Sequence, residues 1–557
     1  MEKIWLRSYP AGVPAEVNPD ELASLQALIS RSFEKFADRP AYTSMDRTLT
    51  YGDIDRLSRQ FAAYLQQVAG LKKGDRLAIM LPNVLQYPVA LAAAFRAGLT
   101  VVNTNPLYTP RELEHQLSDS GAKAILILEN FAHTLESVRA ATGIETVIVT
   151  GVGDLLSFPK SALVNFALRH VKKQVPEYSL PGSVGLIEAL SKGKYENLEP
   201  VALDHEDIAF LQYTGGTTGV SKGAVLTHRN LVANVLQTEA WMGPSLRDQT
   251  GQMVLISALP LYHIFSLQGC LTFLRLGAHN VLIANPRDFP GFVKELSKYR
   301  FTFFAGVNTL FNALLNTPGF DRLDFSALKV SLGGGMAVQR AVAERWKQVT
   351  GCTLTQAWGL TETSPGACIN PLDAPDFNGS IGLPISSTII TIRDDDGKEL
   401  PVRQSGEICV EGPQVMRSYW NRPDETDKVM IDGRILRTGD IGYMDENGYV
   451  FIEDRKKDMI LVSGFNVYPN EVEGVVVTHP GVLEVAAVAQ PDERAGEIVA
   501  LFVVRKDPAL TEEDVVEHCR KSLTGYKVPK RVYFRDELPK TNVGKILRRE
   551  LKDQLKQ

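Results

Sequence analysis

The sequence predicts an α/β protein divided into a large N-terminal unit and a small C-terminal one. Continuous apolar runs alternate with helix-patterned segments through most of its length. At 557 residues the chain exceeds an ordinary single domain, and its 44% hydrophobic and 22% charged residues are globular proportions. Near residue 454 the texture changes, and the segment beyond carries strands and a helix of its own.

The elements read in order as follows. Leu77-Ala-Ile-Met-Leu is a buried strand, Pro88 to Ala97 a helix, Thr100-Val-Val a strand, Pro110 to Ser118 a helix and Ala124-Ile-Leu-Ile-Leu a strand. Apolar strands separated by helices predict parallel sheets covered on both faces. Ala224-Val-Leu reads as another strand, and Thr227 as the N-cap of a helix through Leu231, Val235 and Leu236. Turn signals then cluster at Asp432-Gly, Asp445-Glu-Asn-Gly and Ser463-Gly, around the charged run Glu453-Asp-Arg-Lys-Lys-Asp. Beyond them lie strands over Val485 to Ala489 and Ile498 to Val504. A helix follows, opened by Thr511-Glu-Glu-Asp, a capping box with Asp in its last position. The expected division is 1–454 and 455–557.

Composition excludes several classes. Lys+Arg number 60 against 65 Asp+Glu, a net of −5, so nucleic acid is not an expected partner. The five cysteines are widely spaced and form no Cys-x-x-Cys pair, which argues against a disulfide framework or zinc ribbon. The N-terminus lacks an apolar signal core, and no apolar run is long enough to span a bilayer. The expectation is a cytoplasmic protein. Composition leaves room for transient peripheral contact with the inner face of the cell membrane, and for a homodimer.

The most informative segment is Tyr213-Thr-Gly-Gly-Thr-Thr-Gly-Val-Ser-Lys-Gly223. Gly215, Gly216 and Gly219 let backbone N–H groups converge on an anion. Thr214, Thr217, Thr218 and Ser221 add hydroxyl donors, and Lys222 adds a point charge suited to phosphate. A Walker A loop would continue from Gly-Lys to Ser or Thr and a helix, whereas here Lys222 precedes Gly223 and a strand. The loop therefore joins two strands. Gly151-Val-Gly-Asp-Leu-Leu lacks the last glycine of a dinucleotide fingerprint. The chain has no His-Glu-x-x-His pair.

Four further segments follow in order: Gln356-Ala-Trp-Gly-Leu-Thr-Glu362, Arg437-Thr-Gly-Asp440, Asp454-Arg-Lys-Lys-Asp-Met-Ile with Gly464-Phe-Asn-Val, and Pro539-Lys-Thr-Asn-Val-Gly-Lys545. With the phosphate loop, this series resembles the acyl-adenylate-forming superfamily of acyl-CoA synthetases, luciferases and peptide-synthetase adenylation domains. The match runs from about residue 30 to the end. Gly215-Gly216, Leu259-Pro-Leu-Tyr-His-Ile-Phe265 and Asp454 to Glu471 are most similar to bacterial long-chain fatty-acid–CoA ligases. The resemblance implies a large N-terminal domain with mixed sheets and a small, mobile α+β C-terminal domain. Two departures stand out. Asp432-Gly-Arg-Ile-Leu-Arg-Thr-Gly-Asp lacks the tryptophan common in fatty-acid ligases and is one residue longer, and Ser221 replaces a frequent proline.

The resemblance implies a reaction and a division of labour. A fatty acid, ATP and coenzyme A would be the substrates, with Mg²⁺ as cofactor. The carboxylate would attack the α-phosphate to give acyl-AMP and pyrophosphate, and the thiol would displace AMP. Thr214, Gly215, Gly216, Thr217, Thr218, Gly219 and Lys222 would hold the β- and γ-phosphates. Glu362, with Thr217, would bind Mg²⁺. Thr361 would contact the α-phosphate. Gln356, Trp358 and Gly359, with the Gly333-Gly334-Gly335 turn, would surround adenine. Asp440 and Arg455 would take the ribose, and Lys545 would neutralise charge at the forming bond.

His263 and Phe265 would wall the acyl pocket, Lys457 would be the hinge, and Gly464 with Phe465 would help form the coenzyme A channel. No acidic residue stands between His263 and Gln268 to pair an amino-acid ammonium. Phe301-Thr-Phe-Phe-Ala-Gly and Leu310-Phe-Asn-Ala-Leu-Leu fit an alkyl tunnel and a plain core equally well. Alternatives are a ligase for medium-chain or aromatic acids, a coenzyme A-independent fatty-acid–AMP ligase, and a non-catalytic sensor. Retention of Lys545, Glu362 and Asp440 argues against the last.

Overall fold

A computed structural model describes residues 3–214, 221–463, 465–492, 494–541 and 544–555. Four sheets organise it. The first has eight strands, of which Ile208–Thr214, Thr100–Asn103, Arg76–Met80, Ala124–Leu128 and Thr146–Thr150 are neighbours in parallel. Alternate residues explain their apolar runs. Leu77 and Ile79 face one core cluster, while Ala78 and Met80 face another. Both faces of the sheet are covered, so neither tolerates a polar alternation. The helix Gln86–Arg96 is buried at every residue. Its Arg96 is tied to Asp55 and donates to Ser58 Oγ (3.1 Å).

The second sheet has nine strands and holds a parallel run of Val254–Ser257, Phe303–Gly306, Val330–Gly333 and Leu354–Gly359. Phe301, Phe304, Phe311 and Leu314 pack with Trp346 into a core cluster beneath it. Of the two readings open for those segments, their apolar side chains serve as core, while Asn312 lines the cleft. The third sheet, of five strands, is antiparallel and pairs Ile435–Met444 with Val450–Arg455. The segment at Asp432 forms a hairpin turn. Asp432 and Gly433 both take positive φ (51° and 68°) between Met430–Ile431 and Ile435.

The smaller C-terminal domain is built on the fourth sheet, Phe465–Val467, Ile460–Val462, Gly496–Arg505, Val482–Asp492 and Arg531–Arg535. Val499, Leu501 and Val503 face one cluster, and Ala500, Phe502 and Val504 the other. The helices Pro469–Val476 and Glu512–Arg520 contribute to the first cluster, and Arg548–Gln554 to the second. Two expected caps form, Thr227 with Asn230 and Thr511 with Asp514, and the structure adds a third, Thr109 with Glu112 ahead of Pro110.

Candidate active site

The parallel strands of the second sheet end on a cleft of about 2240 Å³ that the C-terminal domain also lines. Ligand sites in α/β sheets form at these carboxyl ends, where loops diverge and backbone groups are free. Leu354–Gly359 delivers Gln356, Trp358 and Gly359 there, followed by a short turn, Thr361–Thr363. A Cβ at Gly359 would lie 1.8 Å from the Pro365 carbonyl oxygen, so only glycine fits this crossing. Val330–Gly333 delivers the glycine turn. Gly334 N donates to Gly306 O (3.1 Å), and Gly335 takes φ +77°. Gly335 and Gly334 line the cleft, whereas Gly333 is buried behind it in the sheet.

Antiparallel register sets Asp440 opposite Arg455. Arg455 Nε lies 2.7 Å from Asp440 Oδ1, and Trp358 Nε1 donates to Oδ2 (2.9 Å). Asp440 is 1% exposed, and burial raises its pKa, opposed by Arg455 and Trp358. Oδ1 contacts Arg455 as an ion pair yet accepts no aligned hydrogen bond. A buried carboxylate oxygen with spare capacity is suited to a ligand hydroxyl.

Lys545 enters from the C-terminal domain. Its N–H donates to Thr541 Oγ1 (3.1 Å), and Thr309 Oγ1 of the large domain donates to Gly544 O (3.1 Å). Gly544 holds φ +83°, close against Val307 and Thr309. Burial, then the nearby Arg455 cation, lowers the Lys545 pKa to about 8, while Asp440 and Glu362 act the other way. A lysine, two carboxylates and an arginine thus line one cleft, with Lys545 and Asp440 desolvated in it.

Lys222 closes the opposite end. Its ammonium donates to Glu425 Oε2 (2.6 Å) and sits 4.6 Å from the Tyr419 ring centroid. Tyr419 in turn donates from its hydroxyl to Glu362 Oε1 (2.6 Å). Thr214 ends its strand beside Lys222, and the two pair in register. Gly215, Gly216, Thr217, Thr218 and Gly219 lie outside the described residues, as does Gly464. Among the described residues no three His, Cys, Asp or Glu side chains cluster as a protein cage for a metal. A Mg²⁺ ion here would take Glu362 and draw its remaining oxygens from phosphate and water, its usual preference.

His263 lines the cleft as N-cap of the helix Ile264–Arg275, its Nδ1 accepting from Phe265 N (3.4 Å). Burial, with help from Lys545, lowers its pKa to about 3 and holds the imidazole neutral. Phe265 also lines the cleft and packs against Gly334. Lys457 lines it too, its pKa lowered by burial and then by Arg455. Phe465 stands apart: it is 57% exposed and stacks on Tyr526 at 4.9 Å. Gln356 reaches the cleft but uses its amide on the frame, accepting from Val338 N (2.8 Å) and donating to Ser380 O (3.2 Å).

Three residues escaped the sequence reading. Tyr419 and Glu425 lie far from Glu362 and Lys222 in the chain, and no spacing links them. Arg548 follows Lys545 by three residues in a charged run, the one signal that could have marked it. It pairs with Glu473 (2.8 Å) and lies 3.7 Å from both Asp454 and Asp458.

Comparison with known proteins accords with this geometry. Residues 29–420 match the family described as AMP-binding enzyme, and residues 471–545 the AMP-binding enzyme C-terminal domain. The chain is 58% identical, over 100% of its length and 98% of the relative's, to the long-chain-fatty-acid–CoA ligase of Escherichia coli O6:H1. It is 38% identical over 99% of its length to the ligase of that name from Bacillus subtilis, of which 98% is covered. ATP-bound MatB from Rhodopseudomonas palustris superposes with a TM-score of 0.80 at 28% identity, covering 96% of this chain and 99% of that one. The anthranilate CoA ligase AuaEII, in complex with anthranoyl-AMP, shares the fold with a TM-score of 0.85 at 23% identity, covering 97% and 99%. The chain belongs to the AMP-binding enzyme family.

Proposed function

We propose that the chain is an ATP-dependent acid–thiol ligase that converts a long-chain fatty acid to its acyl-CoA through acyl-AMP, releasing AMP and pyrophosphate. The observation that carries this reading is the meeting of Lys545, Glu362 and the Asp440–Arg455 pair in one cleft. Full-length identity to relatives named for that activity supports it.

A carboxylate is a poor acyl donor, because its leaving group would be oxide. In the first half-reaction the fatty-acid carboxylate attacks the α-phosphate, and pyrophosphate leaves. Two anions must meet, so the protein supplies position and positive charge. Lys222 is assigned the terminal phosphates, exchanging Glu425 for them. Lys545 is assigned the bridging and α-phosphoryl oxygens, with Thr361 beside them. Asp440 accepts the ribose hydroxyls, and Arg455 favours its ionised form against burial. Glu362, with Thr217, is assigned to Mg²⁺, which when bound would neutralise phosphate charge. Gln356, Trp358, Gly359 and the glycine turn frame the base. In the second half-reaction the coenzyme A thiol displaces AMP. The junction is drawn between residues 454 and 455, with Lys457 as hinge. Rotation there would withdraw Lys545 and bring Gly464 and Phe465 into a thiol channel, and the present distance of Phe465 from the cleft accords with that need.

His263 and Phe265 wall the acyl end. A neutral His263 and the lack of an acidic partner between it and Gln268 disfavour an amino-acid ammonium. Cytoplasmic operation with transient lipid contact belongs to the same reading, because a long acyl chain partitions into membranes. A homodimer is also compatible with it. No helix among the described residues is long and apolar enough to cross a membrane.

A chain-length series tests the whole: pyrophosphate release and thioester formation with palmitate, octanoate and benzoate, with and without coenzyme A. The expected result is highest kcat/KM with palmitate and thioester only when coenzyme A is present. Preference for octanoate or benzoate, or no turnover, would overturn it.

Two further results are expected. Lys545 must be charged, so kcat/KM for ATP should fall as pH rises through about 8. Bound phosphates favour the ammonium, so the matching limb in kcat should lie at higher pH. Coincident limbs would count against Lys545 facing the nucleotide. Tyr419 is the positioning residue for Glu362. Tyr419→Phe deletes a hydrogen bond to a charged group, worth about 1.5–3 kcal/mol, so adenylation kcat/KM should fall roughly 10- to 100-fold. The half-saturating Mg²⁺ concentration should rise with it. Unchanged Mg²⁺ dependence would reduce Tyr419 to a packing role.

A further inference from the structure

Phe158, Leu163, Phe166 and Val171 are 85%, 63%, 58% and 70% exposed, four of the ten large apolar side chains so exposed among the described residues. They fall within fourteen residues, around the helix Lys160–Phe166 and the helical turn Ala167–Val171 that continues it. Neither element has a fully buried residue. A surface helix ordinarily turns its apolar stripe inward and its polar face to water. Here Val164 packs inward, yet larger apolar side chains stand on the outer face as well. Polar side chains fasten the helix to the body. Asn165 accepts from Gly153 N (2.7 Å) and donates to Asp154 Oδ1 (2.8 Å). Arg169 donates from Nε to the buried Glu129 (2.8 Å), and Lys160 to Asp46 (2.8 Å). Apolar groups are left outside, at a cost in solvation that a monomer in water does not recover.

The charge around this face is equally uneven. From Leu155 to Pro176 there is no Asp or Glu, although the whole chain carries −5. Lys160 and Arg169 are paired with the body. Lys172 and Lys173 are exposed, immediately after Val171, where Lys173 ends the helix in a left-handed conformation (φ 50°). Exposed aromatic and aliphatic groups flanked by uncompensated lysines match an interface of acyl chains beneath anionic headgroups. A second copy of the chain fits less well, because a two-fold contact here would bring the same lysines together.

The position adds a reason. The helix is fastened at Glu129 and Gly153, just past the carboxyl ends of the parallel strands Ala124–Leu128 and Thr146–Thr150. That is the edge of the first sheet at which Ile208–Thr214 ends in the phosphate loop.

We propose that Phe158, Leu163, Phe166 and Val171, with Lys172 and Lys173, form a docking surface for an anionic phospholipid bilayer. The chain then lies with the cleft-bearing edge of its first sheet toward the lipid that dissolves its substrate. This deepens the reading of transient lipid contact and rests on it.

The test is co-flotation of the full chain with phosphatidylethanolamine–phosphatidylglycerol vesicles, against phosphatidylcholine vesicles. Wild type should float with the anionic vesicles, more weakly as salt rises. The Lys172→Glu/Lys173→Glu variant should bind them roughly 30-fold or more weakly. Leu163→Ser/Phe166→Ser should lose roughly 10-fold or more. Both variants should keep wild-type melting behaviour and turnover of octanoate without vesicles. Both should lose turnover of oleate presented in vesicles. Flotation of both variants like wild type, or no flotation of wild type, overturns the proposal. So does a wild-type dimer that Leu163→Ser/Phe166→Ser converts to monomer without changing flotation. Wild type that floats yet turns over no long-chain acid in detergent would leave the docking surface standing and sink the substrate reading alone.

Discussion

Lys545→Ala is expected to slow acyl-adenylate formation roughly 100- to 1,000-fold, about 3–4 kcal/mol, while conversion of supplied acyl-AMP to thioester survives nearly intact. The magnitude follows from the environment. In water a lysine ammonium is screened and its contribution small. Here desolvation has already lowered its pKa to about 8, so water offers it little competition. Charge that develops on the phosphoryl oxygens meets a donor already in place. Thr541 and Thr309 fix its loop, so little reorganisation is needed when the reaction occurs.

The split between half-reactions is the sharper part. Lys545 sits on the C-terminal domain, whereas Asp440, Glu362 and Trp358 belong to the large one. If the small domain rotates between steps, Lys545 cannot serve both. Stopped-flow measurement of pyrophosphate release, beside thioester formation from synthetic acyl-AMP, separates them. Equal loss in the two would refute the assignment. Lys545→Arg should recover only part of the first step, because the planar guanidinium fills the space beside Gly335 differently.

The cleft residues legible in sequence share one property: each stands in a short, contiguous run. Trp358 to Glu362 and Lys545 belong to such runs and line one cleft. The strands Arg76–Met80 and Ala124–Leu128 were legible for a similar reason, since burial on both faces forces continuous apolar runs. Tyr419 was hidden because its partners are remote in the chain: Lys222 comes from a strand that pairs with Ser418–Tyr419, and Glu362 from the turn Thr361–Thr363. Phe301 and Phe311 could not be assigned because tunnel and core demand the same side chains, and packing against Trp346 decides. The outward apolar face near Phe166 is the opposite case. No sequence motif singles it out, and only the anchoring of Asn165 and Arg169 shows which face is turned out.

Arg548→Met is expected to destabilise the C-terminal domain by roughly 3–5 kcal/mol at neutral pH, and to weaken adenylation more than thioester formation. Arg548 donates to Glu473 (2.8 and 3.1 Å) and to Asn470 Oδ1 (2.7 Å), with Asp454 and Asp458 each 3.7 Å away. Asp454 is 1% exposed and also accepts from Arg455 N (2.7 Å) and Asn470 N (2.9 Å). It joins the strand that carries Arg455 to the first helix of the small domain. Even with Arg548 present, burial lifts the Asp454 pKa to about 6. Methionine would keep much of the volume but leave Asp454 and Glu473 desolvated without their cation. The sign of the pH dependence follows. A buried carboxylate with a raised pKa is unfavourable above that pKa, and the penalty fades as the group gains its proton. Loss of Arg548 raises that pKa further, so the gap between wild type and variant should open as pH rises above about 6 and be largely closed below it. Urea unfolding at pH 5 and pH 8, with hydrogen exchange in strand Arg531–Arg535 reporting on the small domain, reads this directly. Adding Asp454→Asn to the variant removes one stranded charge and should restore part of the loss at pH 8 only. A pH-independent deficit, or no deficit, would show that the cluster does not hold the lysine loop to the junction. If it does hold, the same cation that steadies the domain fixes Lys545 three residues upstream, and adenylation should fall in step with the local stability.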